Sequence, residues 1–279
     1  LGVCFLVLND AFAKWLTDFY PALEIVFFRN FFALPLVVVA VLAIEGPAAL
    51  RTSHAGLHAI RGAMSVVGSV IFFLGLSMLS LAEATSLVFA APLFITALSV
   101  PLLGERVGIR RWLACLVGFA GVLVIIQPGS ETFALASLLP LSTAVIYALQ
   151  MITARRIGAR ESMWTLMVYM AAFPLLFSAV IVPFVWVTPA VEHLPHILIM
   201  AIFGTLGMTL ISQSFRMGAA SVVAPFDYTA LVWASLFGFL AWGDLPALST
   251  YLGAAIIIAS GVYILYRETR RAKTSGTGL

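Results

Sequence analysis

Asp10 and Lys14 stand four residues apart inside an otherwise apolar run, so on a helix they share one face. A charge in hydrocarbon is costly and is normally paired or turned toward water. Two readings follow: a mutually neutralising structural pair, or a site that meets a zwitterion or carries a proton. Asp227 follows Pro225 by two residues in another apolar run. Proline releases a backbone carbonyl one turn earlier, which suits the wall of a polar cavity. Tyr147 and Gln150 are three apart and point together on a helix, and Gln213 lies deep in a third run. Each reads either as a helix–helix hydrogen bond or as a ligand. Phe89, Tyr147, Tyr228 and Trp233 fall in the middle of apolar runs and are candidates for a cavity lining. Trp15, Tyr20, Trp164, Trp186 and Trp242 fall near run ends, where interfacial belts form. Arg29 reads as a brace for the first helix or an external gate rather than a substrate contact.

Other chemistry is missing from the pattern. There is no GxxxxGK[ST] segment for phosphate binding and no GxSxG nucleophile elbow. His54, His58, His193 and His196 read as lying in or beside loops, none placed within a span to act as a base or metal ligand. Cys4 and Cys115 sit in apolar stretches with no CxxC partner and read as small core residues. Neither an enzyme nor a bound cofactor or metal is expected.

The elements that hold these residues are set by composition. The chain has 279 residues, 62% hydrophobic and 10% charged, with mean hydropathy +1.10. A soluble domain has about 25% charged residues, so these values exclude a soluble globular enzyme, a disordered chain and a disulfide scaffold. The apolar runs are continuous rather than alternating, which excludes a transmembrane β-barrel. A spanning helix needs about 20 apolar residues. Polar and Pro/Gly breaks divide the chain into ten such runs, at 1–17, 22–44, 56–79, 82–103, 110–127, 133–155, 162–186, 194–216, 219–241 and 247–266. The chain opens at Leu1, already inside a run, so an upstream start is expected; the tail after Lys273 is polar. The net charge of +3 is read as membrane orientation, not nucleic-acid binding. Thirteen of the fifteen Lys and Arg residues fall in or beside alternate loops, the C-terminal tail included, and none in the loops between. The positive-inside rule places both termini in the cytoplasm. Lys14 and Arg29 are the two left over.

The sequence also matches itself at a constant offset of 139 residues. Ala33-Leu34-Pro35-Leu36 meets Ala172-Phe173-Pro174-Leu175, Gly68 meets Gly207, Gly104-Glu105 meets Gly243-Asp244, and Trp112-Leu113 meets Tyr251-Leu252. Each repeat holds five runs, an odd number, so the second enters the membrane from the opposite side. Inverted repeats of this kind recur in secondary transporters.

These residues resemble a known family. Leu79-Ser80-Leu81-Ala82-Glu83-Ala84-Thr85-Ser86, Ala91-Pro92-Leu93-Phe94, Leu103-Gly104-Glu105-Arg106 and Gly118-Phe119-Ala120-Gly121 are echoed by Met217-Gly218-Ala219-Ala220-Ser221, Pro225, Gly243-Asp244, Leu252-Gly253 and Gly261. The pattern is similar to the EamA type of the drug/metabolite transporter superfamily, over essentially the whole chain. Asp244 in place of Glu, and Leu231 where Pro92 would map, depart from it. The resemblance implies an all-α integral membrane protein of ten helices in two inverted five-helix repeats. The repeats are expected at 1–130 and 131–267, with a cytoplasmic tail at 268–279. It also implies alternating access in a bacterial inner membrane, with helices 1, 3, 4, 6, 8 and 9 around a central cavity.

Within the family the chain most resembles exporters of aromatic and other neutral amino acids. The alternative is another solute: a vitamin, a nucleotide-derived metabolite or a cationic drug. The expected substrate-binding residues are Asp10, Lys14, Phe89, Tyr147, Gln150, Gln213, Asp227 and Tyr228, with Arg29, Pro92 and Pro225 gating or structural. Expected partners are the small-molecule substrate, the bilayer and a coupling proton; the expected state is a monomer.

Overall fold

The computed structural model describes residues 1–104, 107–128, 135–157, 161–217 and 223–274. Among the described residues the regular structure is helical and no strand occurs. Eleven α-helices follow one another among the described residues: α1 (Gly2–Leu16), α2 (Ala22–Ile44), α3 (Ala55–Met78), α4 (Leu81–Val88), α5 (Ala91–Leu103), α6 (Ile109–Ile126), α7 (Leu138–Ile157), α8 (Met163–Ile181), α9 (Leu194–Met217), α10 (Ala230–Trp242) and α11 (Leu248–Thr274). Among the described residues eight segments are long and apolar enough to cross a membrane, and Phe226–Trp242 is a shorter apolar helix. The first expected span is the fifteen-residue α1, which carries Asn9, Asp10 and Lys14.

The expected continuous helix over 82–103 is interrupted. α4 ends at Val88, and α5 begins at Ala91 with Pro92 in its first turn. Pro92 has no N–H to return to the carbonyl of Val88, so the helical ladder breaks there. The run expected at 219–241 is likewise not one helix. A 3₁₀ turn, Ala224–Thr229, with Pro225 in its first two positions, precedes α10. Asp227 therefore sits in a turn and not, as its position in the run implies, inside a regular α-helix.

The repeat reappears in the boundaries of the elements. α3 and α9, α5 and α10, and α6 and α11 begin the same 139 residues apart. Gly104 and Gly243 close α5 and α10 at φ 68° and 72°, the left-handed caps that glycine adopts without a Cβ penalty. Ser80 and Glu83 form a reciprocal capping box at the start of α4, which accounts for an acid at the head of an apolar helix.

The helices pack as two units, Leu1–Met78 with Thr153–Gln213, and Leu79–Ile152 with Ser214–Leu279. Each therefore draws on both halves of the sequence. In the first, α8 lies against α2 and α3, and Val37, Val41, Ala49, Trp164 and Val168 form a buried cluster. Trp164, expected in an interfacial belt, is buried there. In the second, α6 runs along α11. A Cβ on Gly121 would stand 2.8 Å from the Gly253 carbonyl oxygen, and one on Gly253 would stand 2.5 Å from that of Gly121. Small residues let the two backbones meet, which is how helices associate where lipid removes the hydrophobic drive.

Candidate functional site

The second unit gathers four of the expected residues. Phe89 follows the last turn of α4, in the break before α5, and the edge of its ring meets Tyr228 at 5.2 Å between centroids and 87° between planes. Tyr228 and Asp227 lie on the 3₁₀ turn. Asp227 is near enough to Tyr147, on α7, and to Tyr228 for its charge to act on both phenols. No hydrogen-bond donor holds the Asp227 carboxylate among the described residues. The Tyr228 hydroxyl rests directly over Gly261 of α11, where no Cβ would fit. The interrupted helices thus present an acid whose charge reaches two phenols, one of them paired with a third ring. Such a set attracts cations through both charge and ring quadrupole and offers faces to a flat ring. Tyr147 is 45% exposed, whereas Gln150, expected to point with it, is 8% exposed. Pro92 and Pro225 mark the two interruptions.

The first unit holds Asp10, Lys14, Arg29 and Gln213. The side-chain amide of Asn9 donates to Asp10 at 3.0 Å. The charge of Asp10 acts on Arg29 of α2, whose Nη2 donates to Ser69 of α3 at 3.0 Å. The Arg29 guanidinium also lies over the Phe73 ring, 5.4 Å from its centre. Lys14 Nζ donates to the Leu76 carbonyl at 2.8 Å. Asp10 and Lys14 thus turn to different groups: the acid acts through its charge on Arg29 of α2, and the ammonium bonds the last turn of α3. Gln213 is half-buried on α9.

Three features escape sequence reasoning. Arg61, counted there with loop cations, lies inside α3 and is 5% exposed. His58, read as beside a loop, is buried in the first turn of α3. Its Nε2 lies 2.6 Å from Glu161 Oε2, and its ring stacks on Tyr169. Glu161 Oε1 also receives the Thr52 hydroxyl and the Ser53 N–H and pairs with His54 Nδ1. Finally, His193 and His196 of the Val191–Met217 segment pack against Trp15 at 5.0 and 4.6 Å between ring centres. Tyr20 hydrogen-bonds His193 Nδ1 at 2.8 Å and accepts the Ala190 N–H. The only sequence signal for these groups was polarity at the edge of apolar runs; the partners are more than 100 residues away.

A helical protein of repeated membrane-crossing segments, with charged and aromatic groups held at helix breaks, has the construction of a multi-pass solute carrier. The EamA-like transporter family model matches residues 1–127 and again 134–267, and the chain belongs to that family. It is similar to an S-adenosylmethionine uptake transporter of Rickettsia bellii, at 30% identity over 94% of this chain and 90% of the relative. It is also similar to a riboflavin transporter of Vibrio cholerae, at 31% identity over 80% of this chain and 76% of the relative. A pseudopaline exporter of Pseudomonas aeruginosa is 28% identical over 92% and 90%. A solved crystal structure, 21% identical, overlays with TM-score 0.67 over 96% of both chains and shares the fold.

Proposed function

We propose that this transporter carries S-adenosylmethionine, or a solute of the same build, across the bacterial inner membrane by alternating access. The observation that carries the reading is the Phe89–Tyr228 ring pair, with the charge of Asp227 acting on Tyr228 and Tyr147. S-adenosylmethionine joins a sulfonium, an ammonium and a flat purine. A carboxylate beside aromatic rings matches the cations, and the rings match the purine. Riboflavin has the flat ring but no cation, so it leaves the acid without a role. The names of the relatives also favour the vitamin or nucleotide-derived alternative over amino-acid export. Export of aromatic amino acids remains the second reading, because an ammonium and one aromatic ring engage the same four side chains.

In this reading Gln150 and Gln213 hydrogen-bond the polar parts of the solute, and Asp10 or Asp227 carries a coupling proton. Lys14 and Arg29 balance Asp10, and Pro92 and Pro225 keep the two helix breaks. Ten spans form two inverted repeats, 1–130 and 131–267, with the tail 268–279 and both termini in the cytoplasm, and the monomer is the working unit.

The test is exchange of labelled S-adenosylmethionine, riboflavin and phenylalanine in proteoliposomes. Exchange of S-adenosylmethionine, with Asp227→Asn at least tenfold slower and Gln213→Ala also slowed, is expected. Exchange of phenylalanine alone makes the second reading correct. Wild-type rates in both well-folded variants remove these residues from the site.

A further inference from the structure

We infer that Asp10, Arg29, Ser69 and Phe73 form a proton switch: Asp10 takes up and releases the proton of the transport cycle, and Arg29 changes partner with it. The inference rests on the transport reading above, with its coupling proton on Asp10 or Asp227, and places that proton on Asp10. All four residues lie in the first unit, on α1, α2 and α3.

Asp10 is half-buried on a helix whose one other charge is Lys14. Among the described residues its carboxylate accepts one hydrogen bond, at 3.0 Å from the side-chain amide of Asn9. Asn9 is itself confined: it is buried, and a Cβ on Gly204 of α9 would stand 2.7 Å from its Oδ1. One neutral donor is little support for a charge away from water. Neither neighbouring cation bonds the acid among the described residues. Lys14, one turn along α1, donates to the Leu76 carbonyl. Arg29 feels the charge of Asp10, but its Nη2 donates to Ser69 and its guanidinium lies over the Phe73 ring. The other titratable groups of these helices are held elsewhere. Glu24 of α2 accepts the Val187 N–H, His58 and Arg61 lie two turns or more before Ser69 on α3, and His196 of α9 packs on Phe12 and Trp15.

Each protonation state of Asp10 suits a different place for Arg29. With Asp10 neutral, the guanidinium keeps the Ser69 hydroxyl and the Phe73 face, which need no counter-charge. With Asp10 ionised, the guanidinium can answer the carboxylate through two parallel hydrogen bonds, and Arg29 leaves α3 for α1. The one covalent bond made or broken is the O–H of the Asp10 carboxyl, and its proton passes to and from water. The proton thus decides whether α2 is tied to α3 or to α1, a two-state element whose populations it shifts. No cation acts on Asp227 among the described residues, so a proton there has no such partner to move.

Infrared difference spectra between pH 5 and pH 8 test the switch on purified, ligand-free protein in nanodiscs, in an Asp227→Asn background. A protonated-carboxyl band is expected that Asp10→Asn lacks and Asp10→Glu retains at a shifted frequency. Arg29→Gln, which removes the cation, carries the titration of that band to higher pH by about one unit. Ser69→Ala carries it to lower pH, because the guanidinium then turns more to the acid. If Asp10→Asn does not fold, these opposite shifts decide. In proteoliposomes, wild-type exchange of S-adenosylmethionine or phenylalanine is expected to differ at least about threefold between pH 5 and pH 8. The inference is overturned if Asp10→Asn keeps the full band, or if Arg29→Gln and Ser69→Ala leave the titration in place, which would make Asp10 and Arg29 structural charges only. It is also overturned if exchange runs at one rate across that range. The spectra need no solute, so a protein that exchanges neither compound loses the substrate reading while the band still decides the switch.

Discussion

Glu161 shows how much one side chain can fasten. It joins the loop between α2 and α3 to the start of α8 through Thr52, Ser53, His54 and His58. Burial works to raise its carboxyl; the hydrogen bonds from Thr52, His58 and His54, with the charge of His58, outweigh it and hold it at about 2, below the ordinary 4.5. A folded value below the unfolded one adds stability that is complete above the unfolded value and is lost as pH falls toward the folded one. Thermal melting of the purified protein is therefore expected to fall between pH 5 and about pH 2, and Glu161→Gln is expected to lose about 1–3 kcal/mol at neutral pH. The variant should be less sensitive over that acid range; an identical pH profile would remove Glu161 as its source. At the same scale, Gly261→Ala forces the Tyr228 hydroxyl off its seat. The expected result is impaired solute binding, read by titration, with the helical content in circular dichroism unchanged.

The elements divide by what holds them. α6 and α11 touch backbone to backbone at Gly121 and Gly253, so a larger side chain has no room without moving a helix. Gly121→Leu is expected to destabilise by about 1–3 kcal/mol or more, seen as a lower melting point, while a similar change at Gly56, which has open space around it, is tolerated. The caps at Gly104 and Gly243 carry a backbone requirement instead. With φ near 70° at both, Gly104→Ala and Gly243→Ala are each expected to cost about 1 kcal/mol although no neighbour is displaced. Similar losses at both would reflect the equivalence of the two helix ends in the repeat.

For the whole molecule, the charge pattern makes an orientation prediction. The positive-inside rule predicts that the loops rich in arginine face the cytoplasm, so a single cysteine replacing Thr188 should react with a membrane-impermeant thiol reagent in intact cells. One replacing Ser162 should react only after permeabilisation. The reverse pattern would invert the whole topology. These experiments need a background in which Cys4 and Cys115 are replaced, since both are free thiols.

By itself the sequence determined the solvent, the element type and the period. Continuous apolar runs require helices in a bilayer, and the 139-residue echo of Pro35, Gly68 and Gly104 places equivalent helix ends in both repeats. These are local properties: hydropathy, proline and glycine act on the backbone within a turn or two. Tertiary structure decided which faces meet. A helix such as α10 is apolar on every side and carries no stripe to tell its neighbour; Phe89 and Tyr228, in the breaks that follow α4 and precede α10, meet only once the helices pack. Nor could the sequence separate Arg61 from the loop cations beside it. Its burial arises only when α3 packs against other helices.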